Sequence, residues 1–264
     1  MGYDKFARPV AHDQRTEVDI FVILKHVDVD EFRGVMSLDV WLKMFWTDPK
    51  LKWKPSQYGN LTTLFVADHE IWQPDLMLYN SASRPDLASS GHDAPYLVVA
   101  PDGGVIWVPT TRLETYCDLD LRRWPFDEHT CEYRLGSWVF DKSALDLVTH
   151  NDTFTHELHV DAEQWRLLDI HFERKEVLYD NYPESFVDVC LSVTARRRGT
   201  AYYSVITGPL SASFFLLLFS FFVPYHRVER LVLHAVNILM LTVALAYMTQ
   251  VVPILTQKPP YVGT

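Results

Sequence analysis

The stretch CDLDLRRWPFDEHTC, from Cys117 to Cys131, decides how the rest of this chain is interpreted, because thirteen residues separate its two cysteines. An apolar run without Lys or Arg begins at Ala201 and is apolar enough to enter a membrane. The chain therefore combines a candidate for a short disulfide loop with a candidate membrane segment. A disulfide persists only outside the cytosol, which places residues 1–200 on the extracellular side if the two thiols are joined. This combination predicts a membrane receptor.

The charge of the chain is acidic and unevenly distributed. The formal net charge is -10, and nearly all charged residues precede residue 231. This balance argues against a nucleic-acid partner and favours small cations or cationic ligands, although acidity also serves solubility alone. The third cysteine, Cys190, lies in the strand-like run VDVCLSVT, where a lone thiol is expected to pack rather than react. Two glycosylation sequons, at Asn60 and Asn151, fit an extracellular location.

Two uncharged runs follow the extracellular region. The first begins at Ala201 and contains FFLLLFSFFV, and Pro209 predicts a kink in it. The second extends from Leu231 to Gln257 and is interrupted only by His234. A helix of about 20 apolar residues spans the roughly 30 Å hydrocarbon core of a bilayer. We therefore predict a transmembrane domain at 201–264, with one span at about 202–225, a second at about 230–255 and the start of an extracellular loop at 256–264.

The orientation of the spans follows from the positive charges beside them. Arg227 and Arg230 lie in the short turn between the two runs, which argues that this turn is cytoplasmic. The triplet Arg196, Arg197 and Arg198 before the first run opposes that orientation, but a long translocated domain outweighs such short-range charge. The N-terminal domain is therefore expected outside the cell.

Residues 1–200 carry the alternation of a β protein. Turn signals such as DPK, APDGG and NYPES separate several alternating or apolar runs. These runs lie at 18–27, 35–46, 61–66, 96–99, 104–108, 131–140 and 186–194. Many short strands at such spacing predict an all-β, Ig-like sandwich followed by transmembrane α-helices.

Motifs for enzyme chemistry are largely absent from the sequence. No nucleotide or zinc fingerprint occurs, and no arrangement of nucleophile and base supports a cell-surface hydrolase. His156, His159 and Asp161 carry metal-ligand side chains, but their spacing is not that of HExxH, so a solvated loop is expected there. We expect neither an enzyme nor a cofactor or metal site.

Several segments, in the same order along nearly the whole chain, resemble one family. They are ARPVAHD at 7–13, KHVDVDEFRG at 25–34, VWLKMFWTDPKLKW at 40–53, IWQPDLMLYNSA at 71–82, LGSWVFD at 135–141 and SVTARRRGTAYY at 192–203, together with WPFD inside the cysteine loop. The chain thereby resembles the Cys-loop pentameric ligand-gated ion channels, most closely the nicotinic acetylcholine receptor branch. The resemblance implies a plasma-membrane subunit of a homo- or hetero-pentamer that contacts lipid, binds a small cationic ligand and passes monovalent cations.

The resemblance also implies an aromatic cage for the ligand. Tyr79 matches the first ligand loop, Trp138 the second, Tyr179 and Phe186 the third, and Trp46 an aromatic residue that a neighbouring subunit contributes. Each cation–π contact with such a ring contributes about 0.5 to 2 kcal/mol. The alternative is that these rings are ordinary core or rim residues of the sandwich.

Departures from the family leave the agonist open. Asn181 and Tyr182 stand where the principal nicotinic subunit has two adjacent cysteines, and Phe186 replaces a tyrosine. A larger or more hydrophobic cation than acetylcholine, or no small agonist, is therefore open. The complementary face corresponds to apolar residues that either pack against the hydrocarbon part of a ligand or are ordinary strand residues. These residues are Val98, Ile106 and Val108.

A second group of matches concerns coupling between the ligand domain and the membrane. Asp30 and Glu31 in a strand-to-strand loop, and Arg197 before the first span, match groups that lie together at the membrane face, where an ion pair can transmit motion. The WPFD turn is expected against the loop after the second span; its first three residues are Trp124, Pro125 and Phe126. The alternative is that these charges only cover the end of the domain.

The second span is expected to line the pore. The family register makes Glu229 a ring of carboxylates at the cytoplasmic mouth, which favours cations. It places toward the axis, at helical spacing, Val232, Val236, Leu239, Val243 and Gln250. Val232 and Val236 replace hydroxyl residues of the family, so the constriction is apolar, while His234 and Asn237 face away. Either these two polar residues bond to neighbouring helices or the pore face is rotated.

The sequence therefore predicts a subunit of a pentameric, ligand-gated, cation-selective channel. A poorly conducting or regulatory subunit of the same fold is the alternative that the apolar pore suggests. A soluble amine-binding protein with the same sandwich is contradicted by the two uncharged spans.

Overall fold

The computed structural model describes residues 2–83, 96–150, 154–155, 164–180, 182–251 and 258, and within them a β-rich region precedes two helices. The strands are β1 (Thr16–Asp30), β2 (Val35–Thr47), β3 (Leu64–Ala67), β4 (Leu76–Leu78), β5 (Tyr96–Val99), β6 (Gly104–Trp107), β7 (Thr110–Tyr116), β8 (Glu128–Ser137), β9 (Leu145–Val148), β10 (Phe154–Thr155), β11 (Trp165–Val177) and β12 (Phe186–Arg197). The helices are α1 (Thr200–Phe222) and α2 (Val228–Val251).

The strands form two sheets that enclose one core. The first sheet has the order β10-β1-β2-β6-β5-β3, with β7 also paired to β2 and β9 to β1, and the second has the order β11-β12-β8-β4. Most neighbours are antiparallel, whereas β1 pairs in parallel with β9 and β10. Apolar side chains from both sheets meet in a single buried cluster, as in other sandwiches. The predicted all-β sandwich is confirmed.

Strand β2 shows why this sequence folds as half of a sandwich. Val40, Leu42, Met44 and Trp46 are buried, while the residues between them are only partly buried. Because successive side chains of a strand point to opposite faces, this alternation places one apolar face on the core. Trp41 belongs to the other, outward face.

All seven predicted runs overlap strands of the structure, but five strands were not predicted: β4, β7, β9, β10 and β11. The longest of these is β11, whose sequence WRLLDIHFERKEV is rich in charge and largely exposed along its length. It lies at the edge of the second sheet and pairs with β12 alone. Charged side chains are common on edge strands because they hinder pairing with another chain, and they weaken the apolar signal on which the prediction depended.

The two helices overlap the predicted spans, and each begins two residues before the predicted start. Tyr202–Phe222 and Val228–Val251 are long and apolar enough to cross a membrane, and little of either segment is buried in the protein. Their exposure distinguishes them from the core helices of soluble proteins, since lipid is the solvent that suits such side chains. Pro209 lies inside α1, and α1 packs against α2.

The cysteines behave as the sequence suggests. A disulfide joins Cys117, which follows β7, to Cys131 in β8, and Cys190 is a free, buried thiol on β12. Burial is the main cause that raises the pKa of the Cys190 thiol, so this side chain is kept uncharged and acts as an apolar packing residue.

Candidate ligand site and coupling cluster

Tyr79 and Trp138 form the first part of the candidate ligand site. Tyr79 follows β4, which pairs with β8, and its ring lies over Gly136. A Cβ at Gly136 would lie 2.5 Å from the Tyr79 hydroxyl, so a larger residue there would displace the ring. That hydroxyl donates to the Ser137 carbonyl at 2.5 Å, and the ring centroid lies 6.4 Å from that of Trp138. Trp138 is 69% exposed and is available to a ligand.

The end of the β11–β12 hairpin supplies a second group of rings. The ring centroid of Phe186 lies 5.7 Å from that of Tyr179 and 5.3 Å from that of Tyr182, and both pairs meet edge to face. Phe186 is 7% exposed, whereas Tyr179 and Tyr182 are exposed. Tyr179 and Phe186, which were predicted to form the third ligand loop, are therefore in contact. The buried Phe186 ring packs beneath the exposed rings of Tyr179 and Tyr182.

The strand register brings these two groups of rings to the same end of the sandwich. Asp188, two residues after Phe186 on β12, pairs with Gly136 on β8, and the Tyr79 ring lies over Gly136. Burial, then the Asp188 carboxylate and the Tyr179 phenol, raise the pKa of the Tyr79 hydroxyl above its ordinary value. Tyr79, Trp138, Tyr179 and Phe186 thus gather at one end of the sandwich, and their role in binding a ligand stays a prediction.

Asp188 adds negative charge to this end. Its buried carboxylate accepts a 2.5 Å hydrogen bond from Arg134 Nη2, and this bond is the main cause that raises the pKa of Arg134. Among the described residues, the second oxygen of Asp188 has no hydrogen-bond partner. Arg134 offsets the charge of this carboxylate, so the electron-rich rings are the feature of this end that favours a cation.

The position of Trp46 contradicts its predicted role in the cage. Trp46 is 1% exposed, and its ring meets Trp72 edge to face at 5.9 Å inside the core. A cage residue must present its ring at the surface, and strand parity turns Trp46 inward. Trp41, which we did not predict, lies on the outward face of β2, and Lys25 Nζ already lies 5.3 Å from its ring centroid. The polar neighbours of Trp41 on the same face were the signal for this position.

The predicted complementary residues belong to an apolar row on the outer face of the first sheet. Val98 lies opposite Ile106, and the register continues to Phe65 on β3 and to Phe45 on β2. Ile106 is 36% exposed and Phe65 68% exposed, while Val98 and Val108 are half-buried. We use the name apolar row for Phe65, Val98, Ile106 and Phe45.

Arg197 is the centre of a buried ion-pair cluster just before α1. Its Nε donates to Asp127 Oδ1 at 2.7 Å, its Nη2 donates to Asp127 Oδ2 at 3.0 Å, and its Nη1 pairs with Glu31. The guanidinium lies 4.4 Å from the ring centroid of Trp165, and its side chain is 1% exposed. Glu31 and Arg197 are thus brought together, as the sequence predicts. Asp30 is used differently, because its carboxylate accepts from the backbone N–H of Arg33.

Asp127 is a member of this ion-pair cluster that the sequence reasoning missed. Burial acts to raise its pKa, but hydrogen bonds from His129 and Arg197 outweigh burial, and the pKa of Asp127 is lowered. The residue ends the WPFD motif, so the motif contained it. Nothing in the sequence indicates that both of its oxygens bond to Arg197.

The WPFD turn lies against the start of α1. The Trp124 ring centroid is 5.2 Å from that of Tyr202, and a Cβ at Gly199 would lie 2.5 Å from the carbonyl oxygen of Pro125. The loop after α2, which we predicted to meet this turn, is outside the described residues except at position 258. There, Lys258 forms an ion pair with Asp118 of the cysteine loop.

The predicted pore residues lie on exposed parts of α2. They are Glu229, Val232, Val236, Leu239, Val243 and Gln250. Asn237, by contrast, is 6% exposed on a helix that packs against α1. Among the described residues, the side-chain oxygen of Asn237 has no hydrogen-bond partner. Both alternatives, bonding to neighbouring helices and a rotated pore face, therefore stay predictions.

Of the two sequons, Asn60 lies in an exposed turn with a positive φ of 62°. The remaining predicted positions lie outside the described residues: Asn151, His156, His159, Asp161 and Asn181.

Residues 1–199 match the family model described as the neurotransmitter-gated ion-channel ligand binding domain. The chain belongs to this family. It is also 30% identical over 268 residues to human neuronal acetylcholine receptor subunit beta-3, which covers 99% of this chain and 57% of that protein. It is 31% identical over 264 residues to the alpha-2 subunit of Pan troglodytes, which covers 99% of this chain and 49% of that protein.

The chain spans about half the length of these curated relatives. The alignment includes both the sandwich and the two apolar helices, since it covers nearly all of the chain. Neurotransmitter-gated ion-channel proteins are receptors and not enzymes, and they hold their ligand-binding domain outside the plasma membrane. The apolar helices after the sandwich fit that placement.

Proposed function

We propose that this chain is part of a subunit of a pentameric, ligand-gated, cation-selective channel. A small cationic ligand binds where adjacent sandwiches meet, and the second helix of each subunit lines the pore. The observation that carries the proposal is the exposed ring of Trp138, held beside Tyr79 at the end of the sandwich where Tyr179 and Phe186 also lie.

The ligand is a cationic amine. Electron-rich rings replace part of the hydration of such a cation. Two of the relatives are named as acetylcholine receptor subunits, which supports a quaternary or protonated amine. Phe186 offers no hydroxyl group to the ligand, so the preferred amine is larger or more hydrophobic than acetylcholine.

The neighbouring subunit supplies an apolar wall. The apolar row gives a surface that packs against the hydrocarbon part of a ligand, and Trp41 on the same outward face adds a ring. Val108 extends this wall beyond β6. This arrangement replaces the part that the sequence assigned to Trp46.

The pore selects cations. In a pentamer, Glu229 at the start of α2 forms a ring of carboxylates, and such rings favour cations. Motion reaches α2 through the Arg197 cluster and the WPFD turn, because both stand directly before α1.

A second candidate is a poorly conducting or regulatory subunit of the same fold. Val232 and Val236 make the lower pore apolar, and an apolar constriction sheds water and resists ions. This candidate predicts surface pentamers that bind the amine without passing current.

Voltage clamp of cells that express the complete subunit tests both candidates. We expect a panel of quaternary and protonated amines to evoke a current that reverses near the cation equilibrium potential. Trp138→Ala should raise the half-activating concentration about tenfold or more, whereas Tyr116→Ala, which alters an exposed ring elsewhere on the sandwich, should leave it unchanged.

Silence from confirmed surface pentamers would count against the channel and for the regulatory subunit. In that case Val232→Thr together with Val236→Thr should restore current, because hydroxyl groups rehydrate the constriction. A half-activating concentration that is unchanged in Trp138→Ala would remove the aromatic site as the ligand site.

A further inference from the structure

His129 is a buried histidine that neither the ligand site nor the pore uses. It lies on β8, is 3% exposed, and its Nε2 is 2.6 Å from Oδ2 of Asp127. Its ring centroid lies 5.5 Å from that of Trp165 on β11. Trp165 also stacks on the Arg197 guanidinium, so the histidine belongs to the same packed unit.

The direction of this hydrogen bond follows from the charge of Asp127. Hydrogen bonds lower the pKa of Asp127 in spite of its burial, so the carboxylate is ionised at neutral pH. An ionised carboxylate accepts and does not donate. Nε2 of His129 therefore carries a proton and donates it to Oδ2.

Oδ2 of Asp127 is shared between His129 and Arg197. It accepts from His129 at 2.6 Å and from Arg197 Nη2 at 3.0 Å, while Oδ1 accepts from Arg197 Nε at 2.7 Å. The histidine thus adds a second donor to Oδ2 and restricts the rotation of the carboxylate. Without that donor, Asp127 keeps its charge but loses one of the contacts that set its plane.

We propose that His129 is a positioning residue for coupling, which orients the Asp127 carboxylate so that it holds Arg197 with both oxygens. This inference rests on the proposed channel function, because only in a gated channel does the Arg197 cluster have motion to transmit. It assigns a role to a residue outside the aromatic site, the pore and the Glu31–Arg197 pair.

A double-mutant cycle on the purified complete subunit tests the contact without any current. His129→Phe keeps a ring but removes the donor, and Asp127→Asn removes the charged acceptor. If His129 acts through Asp127, adding His129→Phe to Asp127→Asn should lower the melting temperature by much less than His129→Phe does alone. Fully additive losses would overturn the inference.

Gating measurements then separate positioning from simple packing. With acetylcholine as the probe, His129→Phe should raise the half-activating concentration about tenfold, the size expected for a lost charge-assisted hydrogen bond. The binding curve for acetylcholine, followed by tryptophan fluorescence, should move far less. His129→Gln, which retains an N–H donor, should restore most of the gating response, and His171→Phe on exposed β11 is the matched control.

The outcomes distinguish this inference from the proposed function. Equal losses of binding and gating, with no rescue by Gln, would make His129 a packing residue and overturn the proposal. If no variant and not even the natural subunit passes current, the channel function fails while the thermal cycle still decides whether His129 positions Asp127.

Discussion

The aromatic site around Trp138 and the charged cluster around Arg197 solve opposite physical problems. The Trp138 residue is 69% exposed, so little of its surface packs against the core. The Arg197 side chain is 1% exposed and forms ion pairs with the carboxylates of Asp127 and Glu31. The rings of the first site expose surface that a bound ligand would cover. The charged groups of the second site are already paired with one another within one chain.

This contrast suggests how each site can change. An exposed ring such as that of Trp138 can be exchanged with little loss of folding free energy, so ligand preference is adjustable. Breaking a buried ion pair leaves a charge without a partner, which is strongly destabilising. The coupling end should therefore tolerate far fewer substitutions than the ligand end.

Replacing Arg197 should give the largest effect. Arg197→Ala leaves the buried Asp127 carboxylate and that of Glu31 without their cation, which should cost about 3 to 5 kcal/mol of folding free energy. Arg166→Ala, a change of the same type at an exposed position of β11, should cost little. Surface expression and the melting temperature of the complete subunit measure both.

If Arg197→Ala folds as well as Arg166→Ala, the comparison between the two ends fails. Arg197→Lys sharpens it, because an ammonium group keeps the charge but cannot bond both oxygens of Asp127 in a planar fork. We expect its stability to fall between those of the natural protein and Arg197→Ala.

Removing the disulfide should give the next largest effect. Cys117→Ser with Cys131→Ser frees a loop of about 15 residues, for which chain entropy predicts a loss of about 3 kcal/mol. Because the WPFD turn inside this loop lies on Gly199 and Tyr202, coupling should weaken along with stability. Cys190→Ser is the control, and a loss there that equals the double variant would contradict the special role of the loop.

The sandwich was predictable because strands with one buried face show an alternation of apolar and polar residues in the sequence. The alternating residues of β2 and the apolar run of β12 identify strands without any knowledge of their partners. β11 escaped because an edge strand carries charge on exposed positions, and β4 escaped because three residues are too few to show a period.

The residues of the candidate sites were predictable where a sequence motif identifies the residue. They were harder to predict where the role of a residue depends on which other residues pack against it. The resemblance located Trp138 and Arg197, but it placed Trp46 on the surface although its parity matches the buried Val40 and Met44. The roles of Asp127 and His129 depend on β8 lying beside β12, a contact between distant parts of the chain. No local pattern reports such a contact.

Trp138→Ala should have a smaller effect, confined to ligand affinity. Losing one ring face from a partly desolvated cation should weaken amine binding by about tenfold or more. The melting temperature without ligand should hardly move, because the ring is exposed. Trp138→Phe should recover part of the affinity, and a large loss of stability in Trp138→Ala would show that this end of the sandwich is not free to vary.

The smallest effect on stability is expected at Glu176 on β11, whose carboxylate is exposed. This residue tests whether a paired charge contributes to stability when it is not buried. Hydrogen bonds from Lys142 and Arg174 lower the pKa of Glu176 to about 2. A lowered pKa stabilises the fold above the ordinary value of 4.5, and that contribution is lost as the pH falls toward about 2. Because water and salt screen this exposed group, Glu176→Gln should change the melting temperature at neutral pH only slightly, and high salt should erase the difference.

Asp127→Asn, measured in the same buffers, should lower the melting temperature by much more and keep its effect in salt, since its carboxylate is buried. Similar losses in the two variants would mean that burial does not set the two charged regions apart.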